Sequence, residues 1–211
     1  MPCNGVYAVF VYMKKQLIYL SFVFVSAISL ADELNDNAAK KLIDAAKERT
    51  LHQVRYDGAY LAIAYPNGDV PANIGVCTDV VIRSFRQLGV DLQQRVHEDM
   101  VASFDAYPSK RLWGLSRTDK NIDHRRVPNL RTFFKRHGKS LTVTQASSDY
   151  LPGDIVTWVL PGNLPHIGIV IDELSDDGER PLVVHNIGEG PKKGDMLFDY
   201  KITGHYRYFG Q

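Results

Sequence analysis

Cysteine is scarce in this chain: of 211 residues only Cys3 and Cys77 carry a thiol. Because Cys3 lies in an apolar leader, a disulfide-stapled scaffold is excluded, and the thiol at 77 is left without a partner. An excess of either charge is also missing. With 25 Lys and Arg against 24 Asp and Glu the net charge is +1, which argues against general nucleic-acid affinity, so no nucleic-acid partner is expected. Neither His-Glu-x-x-His nor paired Cys-x-x-Cys occurs, and no repeat or low-complexity segment interrupts the chain. No metal or other cofactor is therefore expected. A zinc site built from Cys77, His166, His185 and a carboxylate is the alternative, with plausible ligand types but without the usual spacing.

Long hydrophobic runs are absent too. The apolar stretch from Leu17 to Leu30 is shorter than the roughly twenty residues that a spanning helix needs. It follows Lys14 and Lys15 and ends in Ser29-Leu30-Ala31, with small residues at the positions a signal peptidase reads. Residues 1–31 therefore read as an export signal, with Met13 an alternative start because Met13-Lys14-Lys15 is an ordinary signal opening. A retained anchor is the rival reading. No cysteine follows the run, which disfavours a lipoprotein. The expected product is exported, periplasmic and free of the membrane after cleavage; losing two lysines and no acids takes its charge from +1 to about −1. An unpaired thiol in an oxidising compartment is exposed to damage unless it has a use.

Cys77 stands at the head of a legible helix. Cys77, Val81, Phe85 and Leu88 recur on one helical face, Gly89 supplies the stop, and Pro71, Asn73 and Gly75 forbid extension backwards. The thiol thus falls in the first turn, where free N–H groups and the helix dipole favour a thiolate. Asp79 opposes this as a nearby carboxylate, although Asp is also an ordinary first-turn residue. The plainer alternative is a small buried core residue on the apolar stripe.

The chain after position 150 supplies what a nucleophilic thiol requires. Pro152-Gly153-Asp154 makes a turn, Ile155 to Leu160 reads as a strand, and Pro161 to Pro165 is a loop. A second strand begins at His166-Ile167-Gly168-Ile169, and a third is Leu182-Val183-Val184-His185. Adjacent antiparallel strands can place His166 and His185 side by side on one sheet face, opposite the helix that carries Cys77. Thiol catalysis needs an imidazole to accept the proton and a polar group to hold that ring, so His166 is the candidate base and His185 or Asn186 the candidate orienting residue, the resemblance given below favouring His185. Asn186 is the alternative orienting residue, because neighbouring residues on a strand point to opposite faces and only one of the two can serve.

These motifs resemble the NlpC-type papain-like cysteine peptidases, many of which cut the stem peptides of bacterial peptidoglycan. In that group a cysteine opens a helix, a Pro-Gly-Asp turn leads into a strand, a His-Val-Gly-Ile-type strand carries the base, and the next strand carries a polar residue, often His. The chain departs from the group's Asp-Cys-Ser-Gly with Val76-Cys77-Thr78-Asp79. Gly75-Val76-Cys77-Thr78-Asp79, Asn121-Ile122-Asp123-His124-Arg125-Arg126 and His185-Asn186-Ile187-Gly188 more closely resemble the family called domain of unknown function 1287, over about Leu51 to Phe209. The resemblance implies a papain-like core and a hydrolase acting on peptidoglycan or another peptide substrate through Cys77, His166 and His185. A catalytically silent wall-binding module and a thiol acyltransferase or amidase remain as alternatives.

The rest of the chain supplies candidate substrate contacts. Residues 32–50 read as an N-terminal helix with Leu34, Ala38, Leu42 and Ala45 on its apolar face, and residues 51–211 as one domain. Tyr56 to Asn73 is a Gly-, Pro- and Tyr-rich loop in which Tyr56 either walls a substrate groove or packs on the sheet edge. Val96, Met100 and Phe104 mark a second short helix. Ser109 to Arg126 reads as a basic loop around Trp113, and Pro128 opens a helix that runs to His137. Arg125 or Arg126 is expected to bind a substrate carboxylate; the alternative is that Asp123 pairs internally with one of them. Asp79 and Trp158 complete the candidate contacts. Strands are further expected at Leu141–Val143, Met196–Ile202 and His205–Phe209. Helices followed by strands predict an α+β architecture in which N-terminal helices pack on a five- or six-stranded antiparallel sheet.

Overall fold

The computed structural model describes residues 33–210; the expected signal, the alternative start at Met13 and Cys3 lie outside the described residues. Residues 33–38 begin the first helix, and residues 39 onward form the compact unit in which the site lies. Helix α1 occupies residues 33–49, and it is Leu42, Ile43, Ala45 and Ala46 that are buried. Leu34 on the expected face is exposed.

Helix α2, Cys77–Arg86, is the centre of the larger core. Its buried set includes Val80, Val81, Ile82 and Phe85 and is not confined to one stripe, because polar members are satisfied inside. Arg83, for example, is buried, yet its guanidinium donates to Asp69 and to the carbonyls of Val70, Pro71 and Ile74. One side chain thereby clamps the loop that leads into α2. Helices α3, Leu92–Ala102, and α5, Val127–His137, bury Val96, Met100, Leu130, Phe133 and Phe134 in the same core. Between them the expected loop contains a short helix α4, Ser109–Trp113, and a 3-10 turn at Asp123–Arg125. Gly114, just after α4, has φ +66, a left-handed conformation that stops the helix at little cost for glycine.

Two short strands, β1 Arg55–Tyr56 and β2 Ile74–Gly75, pair in parallel and set Tyr56 beside Gly75 just ahead of α2. The main sheet holds β3 Lys139–Ser140, β4 Ile155–Leu160, β5 Leu164–Leu174, β6 Pro181–His185, β7 Lys192–Gly194 and β8 Lys201–Arg207. Its order is β3-β8-β4-β5-β6-β7 and every pairing is antiparallel. The fold is thus α+β with a six-stranded antiparallel sheet. The strand expected at Leu141–Val143 forms two residues earlier, as β3. The one expected at Met196–Ile202 gives way to β7 and β8, with Met196 and Leu197 instead buried between them.

Alternation along β5 divides the interior. Ile167, Ile169 and Ile171 join the core that contains α2, whereas Val170, with Val156, Trp158 and Val183 of the flanking strands, joins a second cluster that includes Tyr150, Met196, Leu197 and Ile202. At the second cluster's edge a buried Asp154 receives Arg207 and His205, which ties the head of β4 to β8. Among the described residues no helix is long and apolar enough to cross a membrane.

Candidate active site

The start of α2 is held by one carboxylate. Val76, at the N-cap, has an extended backbone, and Asp79 accepts its N–H at 2.7 Å, half of a capping box. A Cβ on Gly75 would lie 3.2 Å from Asp79 Oδ2, so the glycine leaves room for that carboxylate. The two oxygens of Asp79 also receive Nε and Nη2 of Arg125, each at 2.9 Å, and both side chains are buried. Arg125 reaches on to the carbonyls of Ala59 and Asp57 at 3.3 and 3.4 Å, while its own carbonyl accepts from Thr78 Oγ1 at 3.1 Å. Helix start, tyrosine loop and Asp-His-Arg-Arg turn are therefore joined at one ion pair.

That pairing occupies two of the expected substrate contacts from within and corrects Asp79, which is buried and does not line the thiol cleft, while Arg125 keeps a place in that cleft's wall. Asp79 and Arg125 are engaged with each other, because a buried charge of either sign without its partner would be strongly unfavourable. Arg126 pairs with Asp123 at 3.0 Å and lies over the Trp113 ring at 4.4 Å, but it stays partly exposed. The internal pairing thus coexists with a guanidinium that still reaches the surface.

The two imidazoles meet. His166 Nε2 and His185 Nδ1 are 3.2 Å apart, with perpendicular rings whose centroids are separated by 5.2 Å. Burial holds His166 down to about 3, with His185 adding to the shift, and burial holds His185 down to about 4, with Lys192 adding. Both rings are neutral near pH 7. In a neutral pair one N–H lies between the rings; if His166 donates it from Nε2, His166 Nδ1 is left as a free acceptor. Among the described residues that nitrogen has no hydrogen-bond partner, and it is not a sealed polar atom.

Two glycines seat His185. A Cβ on Gly194 would stand 2.7 Å from its Nε2, and one on Gly168 would meet Val183 Cγ1 at 2.6 Å, the Val184 carbonyl at 2.9 Å and His185 Cβ at 3.3 Å. Asn186 serves its own turn: Oδ1 accepts from the N–H groups of Gly188 and Gly190. Trp158, another expected substrate contact, is corrected as well. It is 1% exposed, pairs directly with His166 across the strands, and its Nε1 donates to the Leu197 carbonyl at 2.9 Å. An indole whose N–H is satisfied inside the second core backs the imidazole and does not meet solvent.

The thiol and the rings approach β5 from different sides. His166 alternates with Ile167, so its side chain lies on the second-core face, whereas Cys77 packs in the α2 core. The rings therefore share a face, as the strand pattern suggests, but it is the face turned away from α2. Cys77 meets β5 at the Ile167 backbone N–H, the residue next to His166. Among the described residues its Sγ makes no hydrogen bond to either ring. Burial pushes the thiol up to about 12, with the Ile167 N–H opposing and Asp79 adding to the rise. A first-turn position was expected to favour the thiolate, but desolvation of a thiol only 4% exposed outweighs the helix terminus. The resting site is a protonated thiol on one face of β5 and two neutral imidazoles on the other.

A cleft of about 340 Å³ opens over this point, lined by Cys77, Tyr56, Trp113, Arg125, Arg126 and Pro165. Tyr56 is 43% exposed at its wall. Among the described residues no three His, Cys, Asp or Glu side chains converge as a metal ion requires. Sequence reasoning missed Trp113 as a cleft residue, although it stood amid the basic segment, and missed Gly194, for which the sequence offered no signal. Gly168 was visible only as part of the His-Ile-Gly-Ile motif.

This combination of helix-start thiol, Asp-His-Arg-Arg turn and paired histidines lies within residues 43–208, which match the family described as Domain of unknown function (DUF1287), and the chain belongs to that family. It is also similar to the Uncharacterized protein YijF of Escherichia coli (strain K12), with 50% identity over 177 residues that cover 84% of this chain and 85% of that protein.

Proposed function

We propose that the chain is an exported cysteine hydrolase of papain-like, NlpC-type organisation that cleaves a peptide or amide bond in peptidoglycan stem peptides. What supports this reading is the His166–His185 pair at 3.2 Å, one residue from the backbone N–H that meets the Cys77 thiol at the floor of an open cleft. Cys77 is the nucleophile, His166 the base at Nδ1, and His185 the positioning residue that fixes the His166 tautomer. With a protonated thiol at rest, proton transfer accompanies attack and does not precede it. The sulfur bonds to the carbonyl carbon as its proton passes to His166, whose ring must turn round the head of β5 to reach it; the C–N bond then breaks as His166 returns that proton to the leaving amine. Water hydrolyses the thioester and regenerates the thiol. The backbone N–H of Cys77 is offered as an oxyanion donor.

A second reading, a wall-binding module without turnover, is favoured by the burial of the thiol and its lack of a hydrogen bond to His166. Incubation of the mature protein with muropeptides, followed by mass spectrometry, separates the two. Cleavage that disappears in Cys77→Ala and in His166→Ala, with wild-type melting temperatures, supports the hydrolase. Cleavage that persists in folded Cys77→Ala removes the sulfur from the mechanism. Retention of muropeptides by the wild type without any cleavage favours the binding module.

A further inference from the structure

A cleft of about 650 Å³ lies next to the thiol cleft, and Pro128 lines both. Its walls carry Lys110 and Arg111 of α4 and Arg131 and Lys135 of α5, with Asp105 the one carboxylate among its lining residues. None of these four cations is ion-paired among the described residues. By contrast Arg83, Arg125, Arg126, Arg136, Arg180 and Arg207 each have a carboxylate partner. Arg131 is moreover held in place, because Nη2 donates to the Thr203 carbonyl, while its buried Nε has no acceptor among the described residues. In a chain of net charge +1, four unpaired cations around one concavity are a local concentration of charge. Their mutual repulsion is unfavourable to the fold and is relieved by an anion, and a concave wall focuses the field that attracts one.

The short helix α4 connects the clefts. Its last residue, Trp113, lines the thiol cleft with Arg126, whereas Lys110, Arg111 and Leu112 line the basic one. The shared wall at Pro128 gives a chain whose carbonyl sits at Cys77 a path into the cations. We propose that the basic cleft binds carboxylates of the substrate peptide, so that the preferred substrate carries an acidic stretch on one side of the bond that is cut. The link to cleavage rests on the hydrolase reading; the binding of carboxylates does not.

Calorimetric titration of a blocked tri-glutamate peptide into the mature Cys77→Ala protein tests the binding without turnover. Saturable binding is expected, weakening about tenfold between low and high salt, while the tri-glutamine peptide gives no heat. Lys110 and Lys135 are exposed, so Lys110→Glu/Lys135→Glu should melt as the parent does and lose at least about tenfold in affinity. Arg111→Gln supplies a milder variant in the same direction. Equal binding of the glutamine peptide, or unchanged affinity in both variants, overturns the proposal. Binding of inorganic phosphate to the parent but not to the double variant, without any for tri-glutamate, overturns it in favour of a phosphoester site. Tri-glutamate binding together with intact muropeptides leaves the cleft standing and the hydrolase refuted. Cleavage of neutral and acidic peptides at equal rates, without tri-glutamate binding, does the reverse.

Discussion

The two clefts that share Pro128 handle charge in opposite ways. Around the thiol, cations are neutralised from within: Arg125 by Asp79 and Arg126 by Asp123. Around the larger cleft Lys110, Arg111, Arg131 and Lys135 have no carboxylate partner among the described residues. A cluster of arginines in a sequence is therefore no guide to which of them face a ligand. The buried Arg125 must be paired inside the protein, whereas the cations at the rim of the larger cleft can wait for a partner.

The largest expected effect comes from breaking the paired side. Asp79→Ala strands the Arg125 guanidinium, uncaps Val76 and should cost about 3–5 kcal/mol of stability in urea unfolding. A loss below about 1 kcal/mol would mean that the pair contributes no more than a surface bridge. Gly168→Ala comes next. A methyl group there meets Val183, the Val184 carbonyl and His185, so overpacking of about 1–3 kcal/mol is expected, with a changed His185 ring signal in NMR spectra.

Acid sharpens the comparison further, since the thiol side is neutral and buried. The unfolded chain binds protons at its histidines near pH 6.5, whereas folded His166 and His185 remain neutral until about 3 and 4. Stability contributed by their burial is thus present above 6.5 and is lost as pH falls below it toward 4. Urea unfolding at a series of pH values should show this slope, and His166→Gln/His185→Gln should reduce it to the share left by His124, which burial also holds down to about 3. The smallest effect belongs to the open side: Lys135→Glu should change stability by no more than about 0.5 kcal/mol, with the loss appearing in anion binding.

Much of the site could be read from the residues. The helix opened by Cys77 and the strand Ile155–Leu160 follow from periodicity and turn residues, while alternation left His185 and Asn186 both open as the partner of His166 and the family resemblance chose His185. What could not be read is which side of the sheet a helix covers. Alternation places His166 and Val170 together but does not say that the isoleucines, not the histidines, face α2. Asp79 and Trp158 were misassigned for a related reason: each has a polar group suited to a ligand, and each satisfies it through residues far off in the chain. Gly194 left no trace, because a missing side chain matters only through the ring that leans into the space.

Gly168 has a consequence for assembly. A slip of two residues between β5 and β6 would keep every side chain on its proper face and leave the hydrophobic pattern intact. It would nevertheless carry His185 out of the notch that Gly168 leaves and away from His166. The missing methyl group acts as a key cut for one alignment of the ladder, so the imidazole pair exists only in chains that have zipped in that alignment.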